Sequence, residues 1–178
     1  RILGIVSYIL SKESIMWSLS ILFSLLQPSY AWETKKNTYG KSLHWTQSEI
    51  PFYYNYQGSN LSSVEISQAL QQSGQSWSFS NINLYNAGET NITSISHEDD
   101  VFSIVFKEEW NEDPEILALT YTWSNSEGEI VHFDIEVNTQ NFEWSTDGNT
   151  EKHDLQNTIT HEFGHVIGLD HSQIEEAT

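Results

Sequence analysis

The chain has 178 residues, a length that predicts a single domain. Seven Lys and Arg stand against 25 Asp and Glu, and the resulting formal charge of −18 argues against nucleic acid and anionic membrane surfaces as partners. The absence of cysteine excludes a disulfide framework and thiolate metal ligands, and a hydrophobic content of 38% excludes a disordered composition.

Residues 1–31 are predicted to lie outside the folded domain. The run 15–26 is mostly apolar but short for a membrane span, and it is typical of a signal-peptide core. The small residues Ser29 and Ala31 follow Pro28 and match a cleavage site, so we expect cleavage after Ala31 and secretion. The alternative is an uncleaved segment that anchors the protein, and only in that case would a membrane be a partner.

The polar segment 32–40 is predicted to be a linker or a mature N-terminus, and the folded domain is predicted to span 41–178. A helix is predicted over 60–77, because Ser62 and Glu65 have the spacing of a capping box. The apolar stripe of this helix is predicted to consist of Val64, Ile66, Ala69, Leu70 and Trp77.

Apolar and aromatic runs predict the strands. A first strand-like region precedes the helix, around 50–54, and a short strand is expected around 82–85. The run 101–106 is typical of a buried strand. The runs 116–123 and 130–137 flank a loop that contains glycine, and together they predict a β-hairpin.

A second helix is predicted to carry a metal site. Asp154 is a suitable N-cap. Apolar residues are spaced so that one face of this helix turns to the core; they are Leu155, Ile159, Phe163, Val166 and Ile167. The opposite face carries histidines, so the helix is predicted to serve both as a core element and as a metal scaffold.

The pattern H-E-x-x-H-x-x-G-x-x-H runs from His161 to His171. On a helix, His161 and His165 lie one turn apart, so their imidazoles reach the same point. Gly168 can adopt a positive φ, end the helix and let the chain bring in His171. Three neutral imidazoles leave one position of a zinc ion open, as in a catalytic site. Glu162 can reach a water on that metal and is predicted to be the general base.

These eleven residues resemble the metzincin signature, and Ser172 makes them similar to the matrixin branch of zinc metalloproteases. The strong resemblance covers about 154–172, and a weaker one extends back to about Lys41. It implies an α+β zincin-like catalytic domain, in which a twisted, mostly parallel sheet with an antiparallel edge strand packs on a long first helix and the active-site helix. It also implies a methionine turn after the third histidine. The single methionine is Met16, so the domain is predicted to be truncated before that turn.

The resemblance implies a secreted, monomeric zinc metalloendopeptidase that hydrolyses peptide bonds in protein or peptide substrates. It needs one catalytic Zn²⁺, held by the three histidines. The resemblance also implies a substrate-docking edge strand. That strand would comprise Ala118, Leu119, Thr120 and Tyr121.

Three alternatives stay open. The chain could be a zinc-binding protein that has lost catalysis and acts as a binding module, or a truncated product without function. Ca²⁺ could bind some of the many carboxylates, although the sequence does not place such a site. His132-Phe133-Asp134 resembles a matrixin segment that helps to hold structural zinc and calcium. Since the preceding strand offers no histidine at 117–120, we expect a surface histidine and a strand carboxylate here rather than a second zinc.

Overall fold

The computed structural model describes residues 33–172, so the predicted signal segment and its cleavage point lie outside the described residues. In this part of the chain, no helix is long and apolar enough to cross a membrane. The elements in chain order are β1 (Glu33–Thr34), β2 (Glu49–Asn55), α1 (Ser63–Gln75), a 3-10 turn (Ser78–Ser80), β3 (Asn83–Glu89), β4 (Ser103–Lys107), β5 (Ala118–Ser124), β6 (Ile130–Asn138), β7 (Trp144–Ser145), β8 (His153–Asp154), α2 (Leu155–Val166) and β9 (Leu169–Asp170).

A five-stranded sheet forms the centre of the fold, in the order β3-β2-β4-β6-β5. The strands β3, β2, β4 and β6 run parallel, whereas β5 pairs antiparallel with β6 at one edge. The predicted α+β class, the mostly parallel sheet and its antiparallel edge strand are therefore confirmed. The predicted hairpin is also confirmed, since β5 and β6 are joined by the glycine-containing loop.

The two helices pack against each other and against the sheet, α1 over β3 and α2 over β5. The core between them is closed by aromatic contacts such as that of Phe52 in β2 with Phe163 in α2, whose ring centroids lie 5.0 Å apart. The largest fully buried side chains are Trp144, Phe52, Phe133, Phe163, Ile50, Ile66, Leu70, Leu84, Ile104, Ile135, Leu155 and Ile159. This core fixes α2 beside the edge strand.

The predicted capping box begins α1. The Ser62 N–H donates to Glu65 Oε2 at 2.8 Å, and the Glu65 N–H donates to Ser62 Oγ at 3.4 Å. The assignment of Val64 to the apolar stripe was wrong, because Val64 is 65% exposed. Val64 is two positions from the buried Ile66, which places it about 200° around the helix from that residue. The stripe is interrupted at Gly74, where a Cβ would lie 2.4 Å from Leu84 O, so glycine allows close approach to β3.

The segment predicted to be a linker is tied to the domain in its described part. Strand β1 pairs antiparallel with β9, with Glu33 opposite Asp170 and Thr34 opposite Leu169. The side chain of Lys35, the next residue, is only 6% exposed. The sequence did not predict this contact, because the pairing is made by backbone groups and the side chains of the segment are mostly polar.

Candidate metal centre

Helix α2 is the scaffold of the site, as predicted. Its N-cap Asp154 accepts a hydrogen bond from the Asn157 N–H at 2.7 Å. The core-facing stripe is confirmed, with Ile167 as the partly buried C-cap residue and four fully buried members, Leu155, Ile159, Phe163 and Val166. This packing leaves the histidine side of the helix facing away from the core.

A left-handed turn brings the third histidine back. Gly168 has φ +95°, and its N–H donates to His165 O at 3.1 Å. A Cβ on Gly168 would lie only 2.6 Å from the backbone oxygen of Leu43. Glycine is therefore required both for the backbone angle and for the space, and the turn sends β9 back along the helix so that His171 reaches the other two histidines.

The three imidazoles converge through their Nε2 atoms. His171 Nε2 lies 3.1 Å from His161 Nε2 and 3.2 Å from His165 Nε2. A nitrogen carries at most one proton, so His171 cannot donate to both neighbours. The distances are close to the ~3.3 Å that separates two nitrogens in a tetrahedral shell with Zn–N bonds of about 2.0 Å. Among the residues that the structure describes, this is the one cluster of three or more potential ligands of His, Cys, Asp or Glu type that could hold a metal ion.

The three histidines are expected to be neutral, which is the form of imidazole that binds a metal ion. His165 Nδ1 lies 3.0 Å from Leu169 O, a contact that keeps its proton on Nδ1 and leaves Nε2 as the ligand atom. Desolvation lowers the pKa of all three histidines, even though His161 keeps an exposed edge, and it brings the pKa of His165 to about 4. Since metal binds neutral imidazole, these residues fit zinc at neutral pH.

Glu162 lies beside the cluster and is not a member of it. Its side chain reaches towards the edge strand, where Thr120 Oγ1 donates to Glu162 Oε2 at 2.6 Å. Burial raises the pKa of Glu162, while hydrogen bonds from Thr120 and electrostatic interactions with His171 and Lys35 oppose that shift. The carboxylate is thus a buried acceptor that interacts electrostatically with His171, one of the three clustered histidines.

Lys35 is a residue at the site that the sequence did not reveal. Its burial lowers the pKa of its ammonium group, while the charges of Asp170 and Glu162 raise it. Its backbone N–H donates to Gly168 O at 2.9 Å. The N-terminal segment therefore contributes both a backbone tie and a cation to the metal centre.

The predicted docking residues lie on the edge strand β5, beside α2. Ala118 and Leu119 are buried, and Thr120 and Tyr121 are half-buried. In the part of the chain that the structure describes, β5 has β6 as its one neighbour in the sheet. The structure thus brings the strand and Glu162 together through Thr120.

The segment His132-Phe133-Asp134 is buried, and within residues 33–172 it is not part of a cluster of three or more potential metal ligands. His132 and Asp134 are 3% and 0% exposed, so the expectation of a surface histidine was wrong. Strand β6 lies inside the sheet, between β4 and β5. Both Asp134 oxygens are already held: Oδ1 accepts from the Ser103 N–H at 2.8 Å and from Ser103 Oγ at 2.7 Å, and Oδ2 accepts from the Ser96 N–H at 3.0 Å. His132 Nε2 lies 3.3 Å from Oδ2.

Comparison with known proteins supports the family resemblance that was inferred from residues 161–172. No curated protein matches the chain. The family model for matrixin matches residues 44–178. The matched range contains the five-stranded sheet, both helices and the three converging histidines, and it is well over half of the chain. The chain therefore belongs to the matrixin family.

Proposed function

We propose that this matrixin is a secreted, monomeric zinc metalloendopeptidase that hydrolyses peptide bonds in proteins or peptides. The family is one of metallopeptidases. The observation that carries the proposal is that His171 Nε2 lies 3.1 Å and 3.2 Å from the Nε2 atoms of the other two histidines, one of which is next in sequence to Glu162 with its buried carboxylate. Secretion rests on the signal-like run 15–26 and the site after Ala31.

The histidines His161, His165 and His171 would hold the zinc. When bound, zinc supplies Lewis-acid activation of a water molecule and of the scissile carbonyl. Glu162 accepts a proton from the attacking water as its oxygen adds to the carbonyl carbon. Glu162 then returns that proton to the leaving nitrogen as the C–N bond breaks, so the products are a carboxylic acid and an amine.

The edge strand β5 would position the substrate. An extended peptide can join the edge of a sheet through backbone hydrogen bonds, and this mode of binding requires little of the substrate sequence. The segment 118–121 lies next to Glu162, so a peptide on this edge would pass close to the base. This arrangement favours proteins and unfolded peptides as the substrate class.

Digestion of casein tests the proposal directly. The zinc-loaded protein should cleave casein, and a chelator should abolish the cleavage. Glu162→Gln should retain one equivalent of zinc and lose activity by about two orders of magnitude or more, the size of a typical general-base contribution. Glu127→Gln, which removes one exposed carboxylate from the β5–β6 loop, is the matched control and should cleave normally.

The outcomes separate the candidate functions. Cleavage by Glu162→Gln at the wild-type rate would contradict the role of Glu162. If the wild-type protein bound zinc stoichiometrically but cleaved neither casein nor gelatin, the result would support the alternative of a zinc-binding module without catalytic activity.

A further inference from the structure

We propose that Thr120 is a positioning residue whose hydroxyl group orients the carboxylate of Glu162 for proton transfer. The inference rests on the proposed function of Glu162 as the base. It goes beyond the docking role of the strand, because it concerns the side chain of Thr120 rather than its backbone.

The geometry is that of a strong hydrogen bond. Thr120 Oγ1 lies 2.6 Å from Glu162 Oε2 and 3.3 Å from the Glu162 backbone oxygen. A hydroxyl group has one proton, so the shorter contact to the carboxylate takes it. A distance of 2.6 Å falls within the range of about 2.5–2.7 Å for hydroxyl donors to carboxylates.

Both partners are held by rigid elements. Thr120 pairs with Ile135 in β6, and its β-branched side chain has few rotamers. Glu162 is only 7% exposed and belongs to α2, whose flanking residues are anchored in the core. The bond therefore joins the edge strand to the active-site helix and fixes a side chain that would otherwise have three rotatable bonds.

Thr120 holds the carboxylate of Glu162 through two of its groups. The hydroxyl group donates to Oε2 at 2.6 Å, and a backbone hydrogen bond from Thr120 also acts on the carboxylate. Replacement of the side chain leaves the backbone group in place, so the contribution of the hydroxyl group can be tested by itself. The hydroxyl group fixes the orientation of the carboxylate, which a general base needs in order to take the proton of the attacking water.

Thr120→Val tests the proposal, because valine keeps the shape and removes the hydroxyl. We expect kcat on a fluorogenic peptide to fall about 10- to 100-fold, the usual loss when a supporting hydrogen bond is removed. KM should stay within about twofold, and zinc content should be unchanged. Thr120→Ser keeps the hydroxyl and should recover most of kcat, which a purely structural role would not predict.

Thr122→Val is the matched control. Thr122 lies two residues along β5, on the same side of the strand. Its Oγ1 is buried and has no hydrogen-bond partner within the described residues, so its replacement should leave kcat unchanged. An unchanged kcat in Thr120→Val, or an equal loss in Thr122→Val, would overturn the proposal.

A second measurement tests the hydrogen bond between Thr120 and Glu162 without an activity assay. In the metal-free protein, Thr120→Val, Glu162→Ala and the double variant form a thermal-unfolding cycle, in which the double shift should be smaller than the sum of the single shifts. Additive shifts would overturn the proposal. If the wild-type protein cleaved no peptide, the peptidase function would fail, while non-additive shifts would still support the bond between Thr120 and Glu162.

Discussion

The backbone N–H of Lys35 donates to the carbonyl oxygen of Gly168, and this bond fastens the N-terminal segment to the turn that precedes His171. The same residue buries its ammonium group near Glu162 and Asp170. The candidate metal centre is therefore assembled from two distant parts of the chain, and its electrostatics depend on Lys35, a residue outside the histidine signature.

Lys35→Met should change the pH dependence of catalysis. The charge of Lys35 lowers the pKa of Glu162, so its removal should raise that pKa further. A base works only when ionised, and the acidic limb of the kcat/KM profile should therefore move to higher pH. The control Lys36→Met alters the exposed neighbour and should leave the profile in place. A shift of the limb to lower pH would contradict this electrostatic assignment.

Gly168→Ala should weaken both the fold and the metal site. The alanine Cβ would meet Leu43 O at 2.6 Å in a backbone conformation with φ +95°. We expect a loss of stability of about 1–3 kcal/mol and weaker zinc binding, since His171 follows this turn. Gly148→Ala separates the effect of the positive φ from the effect of the contact with Leu43. Gly148 has φ +78°, but no atom lies within 4 Å of a Cβ added there. Thermal midpoints and zinc competition titrations would measure both effects, and equal losses in the two variants would exclude a role for the contact with Leu43.

The metal-free protein should lose stability on acidification through its buried histidines. Burial lowers the pKa of His165 from 6.5 to about 4 in the folded state. Between these values the unfolded chain binds more protons, so this stability is fully present above pH 6.5 and is lost as pH falls towards about 4. Thermal melts in the presence of chelator should show this slope. His165→Gln should flatten it, and an unchanged slope would assign the pH dependence to other groups.

Asp134→Ala should be strongly destabilising without direct effect on zinc binding. The variant leaves the donors of the fully buried Ser103 and of the half-buried Ser96 without their acceptor. Each unpaired buried donor costs about 1–3 kcal/mol. Asp147→Ala is the control, because the Asp147 carboxylate accepts one hydrogen bond at an exposed turn. Chemical denaturation would compare the two variants. Similar free energies of unfolding would contradict a stabilising role for the hydrogen bonds that Asp134 accepts.

Local patterns in the sequence were enough to predict helix α2 and the side of it that carries the histidines. The capping residue Asp154, the apolar stripe and the spacing of His161 and His165 all act within one helix, so their periodicity predicts their geometry. The same holds for the capping box of α1 and for the β5–β6 hairpin, in which partners lie close along the chain. The antiparallel edge and parallel sheet were predicted through the family resemblance rather than from these patterns.

Contacts between distant residues needed the tertiary structure. Trp144 lies in a polar stretch and yet is fully buried, where its indole N–H donates to Asn138 O. Thr120 reaches Glu162 across 42 residues, and Lys35 reaches the turn at Gly168 from the N-terminal segment. The sequence by itself determined which atoms can bind a metal and accept a proton, because residue type and helical spacing set them. Only the folded chain decided what holds these atoms in place and sets their charge, because burial, hydrogen bonding and electrostatic fields depend on residues that folding brings together.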